Sequence, residues 1–226
     1  MFATVALLTF VVGALGDSPS RPNLLLLMTD QHRFDAFSYM GNTALSTPNF
    51  DRLAAEGLVL CFSYSSTPSC TPARAAILTG QKPWNHGMLG YGAVADKYPI
   101  ELAETLASAG YRTAIIGKNH FGWNQTTTNG IAHGYNNLTL YDGLGDGVSR
   151  NQPYFDDYDQ WFQTVQKGQN PLCGMDWNQW KAKPYCYEAQ QHPTAWVGQQ
   201  AVDGGGRSRH HTIFSQSIFP PPALSV

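Results

Sequence analysis

Lysine and arginine are sparse in this chain: fourteen among 226 residues, against sixteen carboxylates, for a formal net charge of -2. They are also scattered, which excludes a phosphate-backbone footprint, so nucleic acid is not an expected partner. Long apolar runs are scarce too. The stretch MFATVALLTFVVGALG at residues 1–16 is too short to span a bilayer comfortably, and no stable membrane span is expected. It ends in Ala14-Leu15-Gly16, a small-x-small cleavage pattern, and reads as a signal peptide even though its first residues carry no basic charge. Two acceptor triplets, Asn124-Gln125-Thr126 and Asn137-Leu138-Thr139, fit the secretory route as glycosylation sites, with a secreted or lysosomal destination.

Cysteine is limited to four residues, so two bridges are the most an oxidising compartment could form. Cys173 and Cys186 lie close together in a stretch rich in Trp, Pro and Gly and are the natural pair. Cys61 falls in an apolar run, Leu58 to Tyr64, that reads as a strand, so it is expected to be buried rather than bonded. Cys70 is then left over.

What is present is an alternation of strands and helices. Asn23 to Thr29 is a continuous apolar run of strand length, the pattern of a parallel strand buried on both faces, and it opens into Asp30-Gln31-His32-Arg33. Thr47 to Gly57 is a punctuated helix with Thr47 as N-cap, Pro48 in its first turn and Gly57 as its stop. Arg74 to Thr79 reads as a helix closed by Gly80. Leu102, Leu106 and Ala109 mark the buried face of a further helix, and Tyr111 to Ile116 is a strand opening into Gly117-Lys118-Asn119-His120. The order implies an α/β fold with a mostly parallel sheet flanked by helices. In such sheets ligands bind at the carboxyl ends of strands, which is where both polar tetrads fall.

Residues 121–191 show little periodicity and read as loop. A helix begins near Thr194 and is cut off by Gly204-Gly205-Gly206. The final stretch, residues 204–226, has a basic patch and a triple proline but no core-forming pattern, and is expected to be an aberrant or disordered tail.

The segment Cys70-Thr71-Pro72-Ala73-Arg74, followed by Leu78-Thr79-Gly80, resembles the signature of the type I sulfatases, Cys-x-Pro-Ser/Ala-Arg and then Leu-Thr-Gly. Four other stretches agree with that family in order: the apolar strand ending in Asp30-Gln31, Thr47 to Ala54, Gly110 to Thr113, and Gly117 to His120. The resemblance implies an alkaline-phosphatase-like catalytic domain whose N-terminal part occupies residues 17–203, in a truncated chain. It implies hydrolysis of sulfate monoesters of a carbohydrate or aryl alcohol. The nucleophile would be formylglycine, made from Cys70 by a formylglycine-generating enzyme.

The residues support that chemistry. Arg74 lies one helical turn beyond Cys70, on the same side, where it can hold an incoming anion, and the helix N-terminus adds partial positive charge. Asp30 and Gln31 offer hard oxygen ligands suited to Ca²⁺, with Mg²⁺ the other option. By resemblance, the converted residue 70 joins them at the metal. Lys118 would bind sulfate and the diol oxygens, and His120 would hydrogen-bond the diol. Both can reach one pocket if the backbone stays extended. Two other readings stand beside this one: an inactive, truncated sulfatase-like protein that at most binds sulfated ligands, and a formylglycine-dependent phosphonate or phosphodiester hydrolase.

Overall fold

The structure, a computed structural model, describes residues 8–11, 22–92, 94–121, 133–142, 156–175, 181–206 and 212–218. Asn124 and the triple proline at 220–222 lie outside these residues. The framework is one five-stranded sheet in the order β1-β2-β5-β3-β4. Its strands are β1 (Leu8–Val11), β2 (Leu24–Thr29), β3 (Arg112–Gly117), β4 (Asn137–Leu140) and β5 (Thr212–Ile218). All neighbours run parallel except β1, which pairs antiparallel with the outer edge of β2. Removal of a leader over residues 1–16 would take β1 away and leave the four parallel strands in place. Among the described residues six α-helices accompany the sheet: α1 (Pro48–Glu56), α2 (Cys70–Thr79), α3 (Pro83–His86), α4 (Leu102–Ser108), α5 (Asp157–Val165) and α6 (Pro193–Gly206). Among the described residues no helix is long and apolar enough to cross a membrane.

The tail expected to be aberrant or disordered supplies the central strand. Thr212–Ile218 lies between β2 and β3, with Leu24 opposite Ile213 and Arg112 opposite Thr212. β-branched and aromatic residues suit that position, and a parallel sheet would otherwise leave the facing edges of β2 and β3 unpaired. The three glycines do not end the helix at residue 203 either, since α6 continues to Gly206.

Three further expectations need correction. Leu58 to Tyr64 is no strand: Leu58, Phe62 and Tyr64 are 78, 86 and 86% exposed, and Cys61 is exposed rather than buried. The apolar run is real, but no strand among the described residues pairs with it. β2 is not buried on both faces; of its side chains only Met28 is buried, because an added antiparallel strand covers its edge but not its faces. In α4 the buried residue is Ala103, while Leu102 is 38% exposed.

Two apolar clusters flank the sheet. Ala75 and Leu78 of α2 pack with Met88, Val94 and Tyr98. The larger cluster lies where the sequence read as loop: Ile116 of β3 meets Tyr158 and Phe162 of α5 and Trp196 and Val197 of α6. Asp156 N-caps α5, its side chain accepting a bond from the Asp159 amide at 2.9 Å.

Cys173 and Cys186 form a disulfide across 13 residues, with Cα atoms 5.6 Å apart. Closing a loop of that size restricts the unfolded chain, so replacing both cysteines by alanine is expected to cost about 3 kcal/mol. For a chain of this length that is a fall of roughly 10 °C in Tm, read by thermal unfolding monitored by circular dichroism. An unchanged Tm would show that this loop is already fixed by its packing.

Candidate active site

α2 starts at Cys70 itself, four residues earlier than the periodicity suggests. Pro72 is tolerated there because the first helical amides have no intrahelical acceptor to lose. Ser69 occupies the cap in extended backbone. At the other end, Gly80 turns left-handed at φ 67° and donates to the Ala76 carbonyl at 2.8 Å. Thr71, Pro72, Arg74 and Ala75 are buried, so the helix is anchored along the very turn that carries Cys70. The half-buried thiol therefore sits at a helix N-terminus, where backbone dipoles favour negative charge.

One charged side chain, Lys118, reaches the thiol, and two more, Asp30 and Arg74, are linked to it. The Lys118 ammonium, just past β3, is 3.6 Å from the Cys70 sulfur and donates to Asp30 Oδ2 at 2.8 Å. Arg74 donates to the Lys118 carbonyl at 2.5 Å and lies 3.4 Å from Asp30 Oδ1. The side chains of Arg74, Asp30 and Lys118 are only 7, 12 and 6% exposed, so their charges meet with little screening by water. Burial alone would raise the Asp30 carboxyl, but Lys118 and Arg74 together outweigh it and hold the group below its ordinary value. Two cations facing one carboxylate are an arrangement suited to an anion.

His120 is buried near the same charges, but not by the route the sequence suggests. The chain does not stay extended after β3. Gly117 is left-handed at φ 96° and His120 at φ 58°, so Lys118 and His120 are brought together by a turn. His120 Nε2 is 3.1 Å from the Asp142 carbonyl. Burial, then the charges of Lys118 and Arg74, push the imidazole down to about 3 from 6.5. It is neutral at physiological pH. The unfolded histidine takes up a proton near 6.5 and the folded one does not, so this group's contribution to stability is present above 6.5 and lost as pH falls below it. In an NMR titration of the folded chain its ring signals are expected to stay fixed between pH 5 and 8. Movement through that interval would mean that the cations do not surround it.

The oxygen donors for a metal fit less well. Asp30 and Gln31 together offer three side-chain oxygens where Ca²⁺ takes roughly six to eight, and both Asp30 oxygens already face cations. Among the described residues no group of three or more His, Cys, Asp or Glu side chains is arranged to hold a metal ion. The described residues thus do not make a divalent-cation site by themselves, and no step is routed through one.

Sequence reasoning did not single out Asp142. It is 2% exposed and binds the backbone of Asn119 and His120. Its position just past β4, at the same end of the sheet as Lys118, was the available signal, hidden because β4 lies in the stretch read as loop.

A protein-family model described as Sulfatase matches residues 22–189. The chain is 36% identical over 194 residues to an arylsulfatase of Clostridium perfringens, covering 81% of this chain and 39% of the relative. Among solved structures it is similar to the phosphonate monoester hydrolase of Agrobacterium radiobacter, with a TM-score of 0.68 at 20% identity over 89% of this chain and 41% of the other. A second neighbour, solved with its substrate D-glucosamine-2-N,6-O-disulfate, has a TM-score of 0.61 at 22% identity, covering 91% and 35%. The chain thus spans about two-fifths of the length of the arylsulfatase it matches.

Proposed function

The chain belongs to the sulfatase family, and we propose that it carries the anion-binding, nucleophile-bearing part of a sulfuric ester hydrolase acting on sulfate monoesters of a carbohydrate or aryl alcohol. The observation that carries this reading is Lys118 beside Cys70 at the start of a buried helix, tied through Asp30 to Arg74 of that same helix. The α/β, mostly parallel sheet is consistent with it.

Residue 70 fits a formylglycine: it is half-buried, stands at a helix N-terminus and has an ammonium 3.6 Å away. Converted by a formylglycine-generating enzyme, it supplies through its hydrate an oxygen nucleophile for sulfur and a second hydroxyl whose deprotonation releases sulfate. The chain's own residues do the rest. Lys118 and Arg74 draw in the sulfate and offset charge that builds on its oxygens. The α2 N-terminus adds fixed dipoles at the same place. Neutral His120 is a hydrogen-bonding group beside them and brings no further positive charge. Asp30 orients the ammonium and faces the guanidinium, and with Gln31 it is the group that would face Ca²⁺ or Mg²⁺. Residues 1–16 are proposed as a leader directing the chain to the secretory pathway, to be secreted or lysosomal. Asn124 and Asn137 are the proposed glycosylation sites; Asn137 is exposed at the start of β4.

The test is hydrolysis of 4-nitrophenyl sulfate by the 226-residue chain, produced with and without a formylglycine-generating enzyme. Turnover that depends on co-production supports the reading. A preference for a phosphonate monoester in the same assay would move the chain to the phosphonate hydrolases. Binding of sulfate without turnover would leave it as a sulfatase-like binding protein.

A further inference from the structure

The turn that carries Lys118 and His120 is held from outside by one buried carboxylate. Asp142 Oδ1 accepts both the Asn119 amide at 2.7 Å and the His120 amide at 3.0 Å. The next residue but one to β4, it stands beside the parallel strand β3, and the neighbouring Tyr141 amide ties to the Gly117 carbonyl at 3.1 Å. Asp142 is itself fixed: its amide donates to Asp156 Oδ2 at 2.8 Å, and the other oxygen of Asp156 caps α5. A rigid line therefore runs from α5 through Asp156 and Asp142 to the site. At its end His120 is held in left-handed backbone at φ 58°, a region uncommon for residues other than glycine. A buried carboxylate receiving two amides is a strong, charge-assisted clamp.

We infer that Asp142 is a positioning residue: it clamps the 119–120 backbone so that Lys118 and His120 are presented together beside Cys70. For its catalytic consequence the inference rests on the sulfatase reading above. Nothing in the clamp touches substrate.

The experiment compares D142N and D142L in the full chain by two measurements. Asparagine keeps one neutral oxygen where both amides point; leucine keeps the volume and no acceptor. The first measurement, amide hydrogen exchange by NMR, is independent of activity. In D142N, exchange at Asn119 and His120 is expected to quicken about tenfold while Ile115 and Ile116 of β3 keep their protection. The second is 4-nitrophenyl sulfate turnover, where a clamp predicts a graded response: about a hundredfold loss of kcat in D142L, most of it recovered in D142N. Should D142L fail to fold, the D142N exchange pattern decides. Unchanged exchange at 119 and 120, or equal loosening through β3, overturns the inference, as does wild-type kcat in a folded D142L. An inactive wild-type chain would count against the sulfatase reading, and the exchange result would still decide the clamp.

Discussion

Replacing Cys70 by alanine is expected to reduce 4-nitrophenyl sulfate turnover to background, a loss on the order of a millionfold where a covalent nucleophile is removed. The fold should survive. Residue 70 is only half-buried, alanine is the best helix former, and α2 stays anchored by Thr71, Pro72, Arg74 and Ala75. Melting temperature should therefore stay close to wild type while activity disappears, and that pairing separates chemistry from structure. Serine at this position makes a sharper test. Its hydroxyl could take up sulfate once, but it has no second hydroxyl to expel it, so C70S is expected to show no sustained turnover. Sustained turnover by C70S would mean that residue 70 acts as an ordinary alkoxide nucleophile and that formylglycine is unnecessary.

Arg74 to methionine is expected to damage both activity and stability. Arg74 binds the Lys118 carbonyl and faces Asp30, and all three side chains are nearly buried. Methionine fills most of the volume but leaves that carbonyl without its donor and Asp30 with one cation fewer. Losing hydrogen bonds of this charged kind costs about 2–3 kcal/mol, measurable by urea unfolding. The site also loses one of the two cations facing Asp30, so kcat/KM should fall by roughly 100- to 1000-fold. Lysine at this position restores charge without the planar fork and should recover only part of either loss. If R74M were as active as wild type, the anion site would have to lie elsewhere.

The sequence was most informative where short-range chemistry decides the structure. The apolar strand ending in Asp30, the Cys70 to Gly80 segment and the strand ending in Lys118 are legible because each is a local pattern with its own punctuation, and parallel α/β sheets gather strand ends on one side. What brings Asp30, Arg74 and Lys118 within hydrogen-bonding reach is long-range register, which no local pattern encodes. Four misreadings have physical causes. Leu58 to Tyr64 is an apolar run of strand length, but a strand also needs a neighbour. Residues 121–191 read as loop because their core positions are held by aromatics such as Tyr158 and Phe162, not by a regular aliphatic stripe. The tail looks coreless because Gly204-Gly205-Gly206 dominates it, although Thr212–Ile218 is a strand-forming run filling the gap between β2 and β3. His120 could not be placed by strand alternation because Gly117 and a clamp from Asp142 redirect the chain.

The central claim is that Cys70 is the precursor of the nucleophile and not a structural thiol, and peptide mass spectrometry after co-production with a formylglycine-generating enzyme tests it most directly. The account predicts that the peptide carrying residue 70 has lost its sulfur and reacts with an aldehyde-specific hydrazide. Recovery of that peptide wholly as unmodified cysteine, from a cell in which a control sulfatase is converted, would contradict it.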